Sequence, residues 1–193
     1  MTIHPVHPDH AIAAIQPVVL VGGKATRFGR DKLREPWRDG LLVQRPIDAL
    51  RAVFGPRVAL VGDCDPSLLP LADGVIPDHH PGVGPIGGVI SALAHTNTAV
   101  FIAAGDMPAI DTPTIHALVS AYSTQPGAWA VMACDPSPHP TLAIYRAEAL
   151  TTLRDKLACD KRALHSALPA GRVVLVPCDP RALSNVNSQS DVR

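Results

Sequence analysis

The apolar run Val18-Val19-Leu20-Val21 passes directly into Gly22-Gly23-Lys24-Ala25-Thr26-Arg27-Phe28-Gly29-Arg30-Asp31-Lys32, and this junction narrows the possible folds most. The run reads as a buried strand. Beyond the loop, residues 41–54 place Leu42, Pro46, Ala49, Leu50 and Val53 near helical spacing, with Arg45, Asp48 and Arg51 on the other side. Together they predict a strand-loop-helix unit, whose loop lies at the carboxyl edge of a parallel sheet, where α/β proteins bind ligands.

The loop has the chemistry of an anion cradle. Gly22, Gly23 and Gly29 let backbone N–H groups approach a ligand, and Lys24, Arg27, Arg30, Lys32 and Arg34 put five of the seventeen basic residues into eleven positions. A solvated basic loop would need no paired glycines directly after a core strand, so the pattern points to a polyphosphate. It is not a Walker A loop, which would need glycine at position 18 and a hydroxyl residue at 25, where Val18 and Ala25 stand.

Charge and size limit the alternatives. Seventeen residues of each sign give zero formal net charge, which excludes the global basic field of a non-specific nucleic-acid binder. With 193 residues, 47% hydrophobic and 4% aromatic, the chain predicts one well-cored domain over 17–193, built on Val, Leu, Ile and Ala. Residues 1–16 are expected to be a flexible tail, in which His4, His7 and His10 are polar residues rather than metal ligands. No signal peptide or membrane span is indicated, and Cys64, Cys134, Cys159 and Cys178, without a Cys-x-x-Cys pair, read as free thiols of a cytoplasmic protein.

Further strands are predicted over 57–61, 74–78, 99–104, 129–133, 141–145 and 172–176. Helices are predicted over about 88–95, 113–122, 147–157 and 161–168. The prolines of 134–140 predict a loop without regular structure. The strand over 99–104 is wholly apolar, hence central, and delivers Gly105-Asp106-Met107-Pro108. A carboxylate at that point is well placed to hold Mg²⁺, and it is not required as a helix cap because Asp111 or Thr112 can cap the following helix. Gly82-x-Gly84-x-x-Gly87, with Asp106 downstream, also matches a dinucleotide fingerprint. Against it stand a weak preceding strand, the stiffening Pro81 and Pro85, and the fingerprint's usual place after the first strand of a fold. A loop packing against the nucleotide is the favoured reading.

The basic loop resembles the L-A-G-G-x-S-x-R-M-G-x-D-K signature of the nucleotidyltransferases that activate molybdenum cofactor. Leu20, Gly22, Gly23, Arg27, Gly29, Asp31 and Lys32 match in register, with Val21, Ala25, Thr26 and Phe28 as departures. The resemblance extends in order through Asp78 with Gly84-Pro85-Ile86-Gly87-Gly88, Asp106-Met107-Pro108, His139-Pro140 and Asn185-Val186-Asn187. It implies a single-domain three-layer α/β/α, Rossmann-like nucleotidyltransferase fold with a mostly parallel central sheet. It also implies nucleotide contacts at Leu20, Val21, Gly22, Gly23, Lys32, Gly62, Asp78 and Asp106. Gly62 falls where the family often has asparagine. Pterin contacts are implied at His139, Arg162, Asn185 and Asn187, a metal site at Asp106, and catalytic roles for Arg27, Lys32 and Asp106.

The implied reaction transfers GMP from Mg-GTP to the terminal phosphate of molybdopterin or molybdenum cofactor, releasing pyrophosphate. Mg²⁺ is the cofactor, and a molybdoenzyme or its chaperone the recipient, with no nucleic-acid or membrane partner. Guanine is suggested because Leu-x-Gly-Gly resembles the guanylyl members, whereas cytidylyl members tend toward Pro-Ala-Ala-Gly. A cytidylyl or other nucleotidyltransferase of the same fold, an NAD-binding oxidoreductase using Gly82 to Gly87, and a non-catalytic relative stay open at this point.

Overall fold

The computed structural model describes residues 8–22, 31–186 and 191. Helix α1 (Pro8–Ala14) leads into strand β1 (Ile15–Leu20). A 3-10 turn over Lys32–Arg34 and a small hairpin of β2 (Pro36–Trp37) and β3 (Gly40–Leu41) precede helix α2 (Gln44–Phe54). Strand β4 (Ala59–Val61), a 3-10 helix over Pro66–Leu71 and strand β5 (Gly74–Ile76) follow. Helix α3 (Pro85–Thr96), strand β6 (Ala99–Ala104), helix α4 (Thr112–Thr124), strand β7 (Ala130–Asp135) and strand β8 (Ser137–Tyr145) come next. Helix α5 (Ala149–Ala158) and strand β9 (Val173–Pro177) complete the elements.

Seven strands form one sheet in the order β5-β4-β1-β6-β8-β7-β9. All adjacent pairs are parallel except those made by β8, which runs antiparallel to both β6 and β7. The chain moves from β1 outward to β4 and β5, then returns to place β6 on the other side of β1. That reversal makes the β1–β6 boundary a switch point, where open α/β sheets leave a crevice outside the strand ends. The register sharpens the location: Leu20 lies opposite Val61 on one side and Ala104 on the other. The segments leaving β1, β4 and β6 therefore start at the same level.

Alternation along the strands builds two cores. Phe101 and Ala103 of β6 face the same core as Ile47 and Leu50 of α2 and Ile115 and Leu118 of α4. Val100 and Ile102 face the opposite core, shared with Val89, Ile90 and Leu93 of α3 and Leu153 of α5. Because both faces are covered, β1 and β6 carry near-continuous apolar sequence, and the three-layer arrangement follows.

Several boundaries differ from expectation. Residues 8–14 of the expected tail are helical, and the first strand starts at Ile15 rather than at 18. Helix α2 starts at Gln44 because the side-chain Oε1 of Gln44 accepts from Leu41 N at 2.6 Å, which ties the expected first turn to the β2–β3 hairpin. Helix α3 starts at Pro85, a position where the missing N–H of proline removes no helical bond. The expected irregular 134–140 segment is a β7–β8 hairpin with a register shift between Met132 and Ala133. Strand β6 pairs with β8 only over residues 142–145, so Pro138 has a ladder partner on one side alone and Pro140 falls in the register shift, both places where proline is tolerated. The expected 161–168 helix is reduced to a 3-10 turn over Leu164–Ser166.

Candidate active site

The switch point brings three loops together through their backbones. Gly105 N donates to Leu20 O at 2.9 Å, and Val21 N donates to Val61 O at 2.9 Å. Gly62, at φ +118°, lies so close to the β1 loop that a Cβ there would stand 2.5 Å from Gly22 N and 2.8 Å from Gly22 Cα. No other residue fits that backbone, so the glycine serves this close approach. Val21 is 3% exposed and its side chain belongs to the core, so the departure at this position is a packing change. Gly22 is exposed, leaving its backbone accessible to a ligand.

Lys32 and Asp106 meet across 74 positions of sequence: Nζ lies 2.5 Å from Oδ2, with the side chains 22% and 16% exposed. Lys32 Nζ also donates to Val186 O at 3.2 Å, while Val186 N donates to Asp106 O at 2.9 Å. The C-terminal segment is thereby stitched to the loop after β6, and exposed Asn185 stands beside that stitch. The Val186 carbonyl is a participant without a sequence signal, since any residue type can supply it.

Local anchors support the pair. Asp31 Oδ1 accepts from Leu33 N and Oδ2 from Asp65 N, each at 3.0 Å. Leu33 is 5% exposed, and a Cβ on Gly105 would lie 3.1 Å from Leu33 Cδ2. The turn carrying Lys32 thus packs directly beside the residue preceding Asp106. Cys64 lies near this junction, where burial, reinforced by the charges of Asp31, Asp63 and Asp65, pushes its thiol up. That environment is opposite to the one that makes a nucleophilic thiolate. All four cysteines are free.

Asp78 follows β5 and opens the loop into α3. Its Oδ1 accepts from His80 N at 2.9 Å and from Ser91 Oγ at 3.1 Å, and Ser91 Oγ accepts from His79 N at 3.0 Å. The glycines of the fingerprint have local reasons: Gly84 caps α3, and a Cβ on Gly87 would stand 2.6 Å from the His80 carbonyl oxygen. β5 is moreover an edge strand, not one of the two that flank the switch point.

The expected pterin contacts are dispersed in their local bonding. Arg162, 53% exposed, pairs with Asp160 at 2.8 Å in the segment after α5. His139 lies within β8 opposite Ala133. Gly23, Arg27 and Asn187 lie outside the described residues. A cavity of 280 Å³ lined by Gln16, Arg57, Asp73 and His95, among others, opens where β4 and β5 begin, at the far edge of the sheet. Two of its charged groups are already engaged: Arg57 donates to Ile12, Ala13 and Phe54 carbonyls, and Asp73 binds Arg51.

Among the described residues no three His, Cys, Asp or Glu side chains form a metal cluster, and no helix is long and apolar enough to cross a membrane. Asp106, at the end of β6, offers one carboxylate, and Mg²⁺ is an ion that takes one or two protein carboxylates and completes its shell with phosphate oxygens and water. That its carboxylate already carries the Lys32 ammonium shows that it accepts a cation.

Residues 17–172 match the MobA-like NTP transferase domain. A probable molybdenum cofactor guanylyltransferase of Chloroflexus aggregans is 32% identical over 91% of this chain and 90% of its own length. One from Opitutus terrae is 30% identical over 93% of each. Among solved structures, the molybdopterin-guanine dinucleotide biosynthesis protein A of Archaeoglobus fulgidus superposes with a TM-score of 0.74, covering 91% of this chain and 94% of that one at 24% identity.

Proposed function

The chain belongs to the MobA-like NTP transferase family and is a nucleotidyltransferase; from that premise we propose that it transfers GMP from GTP to the terminal phosphate of molybdopterin or its molybdenum-loaded form. The observation that carries this reading is the Lys32–Asp106 pair, seated where the segments leaving β1, β4 and β6 start level. The guanine choice and the pterin acceptor are supported by the names of the relatives, guanylyltransferases at about a third identity over nine-tenths of the chain.

In this reading a phosphate oxygen of the acceptor attacks the α-phosphorus of GTP, a new P–O bond forms, and the bond to the bridging oxygen of the β-phosphate breaks to release pyrophosphate. The attacking phosphate is already an anion, so no side chain needs to remove a proton. Alignment and charge neutralisation are the tasks left to the protein. Gly22 and Gly23 would present backbone N–H groups to the phosphates, and Gly62 would hold the two loops close enough to do so. Lys32 would leave Asp106 for the triphosphate, and Arg27 would add a second cation. Asp106 would hold Mg²⁺, which when bound neutralises triphosphate charge and fixes its orientation. Asp78 would contact the base or ribose side, and His139, Arg162, Asn185 and Asn187 the pterin. A molybdoenzyme or its chaperone would receive the product in the cytoplasm, a compartment in which free thiols persist.

The nicotinamide alternative draws no support from the fold, since Gly82 to Gly87 follow an edge strand and Gly87 is closed in by the His80 carbonyl and Val83. The test is pyrophosphate release from GTP, CTP, ATP and UTP with and without molybdopterin. Acceptor-dependent release with GTP strongly preferred is expected; preference for CTP would refute the guanine assignment.

A further inference from the structure

We propose that Asp31 is a positioning residue for this reaction, holding the turn that carries Lys32 against the loop after β4 and so setting where the Lys32 ammonium lies. The inference rests on the nucleotidyltransferase reading of the Lys32–Asp106 site.

Both carboxylate oxygens of Asp31 are used, and by different segments. Oδ1 caps the 3-10 turn by accepting from Leu33 N at 3.0 Å; Oδ2 reaches out of the turn to accept from Asp65 N at 3.0 Å. The turn is closed by Arg34 N donating to Asp31 O at 3.2 Å and Glu35 N donating to Lys32 O at 3.0 Å. Arg34 joins the same two segments a second time through Asp65 Oδ2 at 2.5 Å, but there the arginine side chain is 53% exposed, so screening by water leaves it a minor tie. Asp65 is fixed in turn, since its Oδ1 caps the Pro66–Leu71 helix by accepting from Ser67 N. Lys32 therefore sits between two pinned neighbours. Leu33 is buried against Gly105, and Asp31 is held sideways by the β4 loop.

This bonding makes a demand that charge alone would not. Two backbone N–H groups point at one side chain, so the residue must offer two acceptor oxygens. Asparagine offers one, and in either orientation its NH₂ faces an N–H. Serine can still cap the turn, but its single short hydroxyl cannot also reach Asp65 N. Asp31→Ser thus keeps the cap and removes the tie, and Asp31→Asn gives up one of the two bonds and turns an N–H donor onto the other.

The test measures Mg-GTP affinity by titration calorimetry, and the kcat and KM of transfer, for wild type, D31N, D31S, K32A and D31N/K32A, with melting temperature and circular dichroism on each. Loss of a charge-assisted bond that fixes the lysine is expected to weaken Mg-GTP binding about tenfold in D31N and D31S. In the K32A background D31N should add nothing, because the residue acts through that lysine. Equal affinity of wild type, D31N and D31S overturns the proposal while leaving the functional reading intact. A loss in D31N that persists undiminished without Lys32, or loss of the native fold in both D31N and D31S, assigns Asp31 to stability alone and also overturns it. A wild-type chain that does not bind Mg-GTP overturns the functional reading and this inference together.

Discussion

Replacing Lys32 by alanine should have opposite effects on two ligands: a free divalent cation should bind more tightly and Mg-GTP more weakly. The ammonium stands 2.5 Å from Asp106 Oδ2, so a cation entering the free protein must displace it. At an effective dielectric of about 20, the bare attraction at that spacing is about 7 kcal/mol. Most of this is offset by desolvation and side-chain ordering, and with both groups partly exposed the net worth of the pair is about 1 kcal/mol. Removing the competitor should therefore raise metal affinity roughly fivefold. The nucleotide moves the other way, because a cation that neutralises phosphate charge is lost, at a cost of about 3 kcal/mol in a closed site. Mn²⁺ serves as the probe, its free aqua ion quantified by electron paramagnetic resonance during titration, with and without GTP. Unchanged or weaker Mn²⁺ binding by K32A in the absence of nucleotide would refute the idea that lysine and metal compete for Asp106.

Gly62→Ala should destabilise the protein by about 3 kcal/mol in urea unfolding and weaken GTP binding, since its Cβ would fall 2.5 Å from Gly22 N at φ +118°. Asp73→Asn should cost about 1 kcal/mol at pH 7, because Asp73 takes two bonds from Arg51 at 3.0 Å and one from Val58 N at 2.9 Å. The Arg51 hydrogen bond holds the Asp73 carboxyl below its ordinary value, so the contribution is present at neutral pH. It is lost as pH falls from about 4 through the folded-state value, and the two unfolding curves should converge in acid. Tyr145→Phe should cost about 1–2 kcal/mol by leaving the Pro140 carbonyl without its 2.8 Å partner. No pH dependence from this phenol is expected below pH 10, since full burial pushes it up.

Strand β6 was legible residue for residue because an apolar stretch between turn residues has one comfortable place, the middle of a sheet buried on both faces. Asp106 followed from it, since the end of such a strand at a switch point is a ligand position. The β7–β8 hairpin was not legible: Pro138 and Pro140 argue against a strand locally, and the short β6 pairing and the β7–β8 register shift make room for them. Helix α1 was hidden for a related reason, as its register depends on packing against α4 and α2, not on its own seven residues. At the site, residue types announced Lys32 and Asp106 separately, but their contact is a tertiary fact across 74 positions of sequence. Gly62 read as a nucleotide contact where the family often has asparagine, and its positive φ and the nearness of Gly22 add a backbone reason to be glycine. Asp31 was visible as part of a motif, with nothing in the sequence to say that Asp65 N would be its partner.

In the proposed function, nucleotidyl transfer runs at the carboxyl edge of β1 and β6 with Asp106 as its metal-holding carboxylate. Its most direct test is single-turnover transfer of labelled GMP from GTP to molybdopterin by the wild type and by Asp106→Ala, with circular dichroism verifying the fold. Transfer by the wild type and a loss of about a hundredfold or more in the folded variant are expected. Undiminished transfer by folded Asp106→Ala would contradict that proposal.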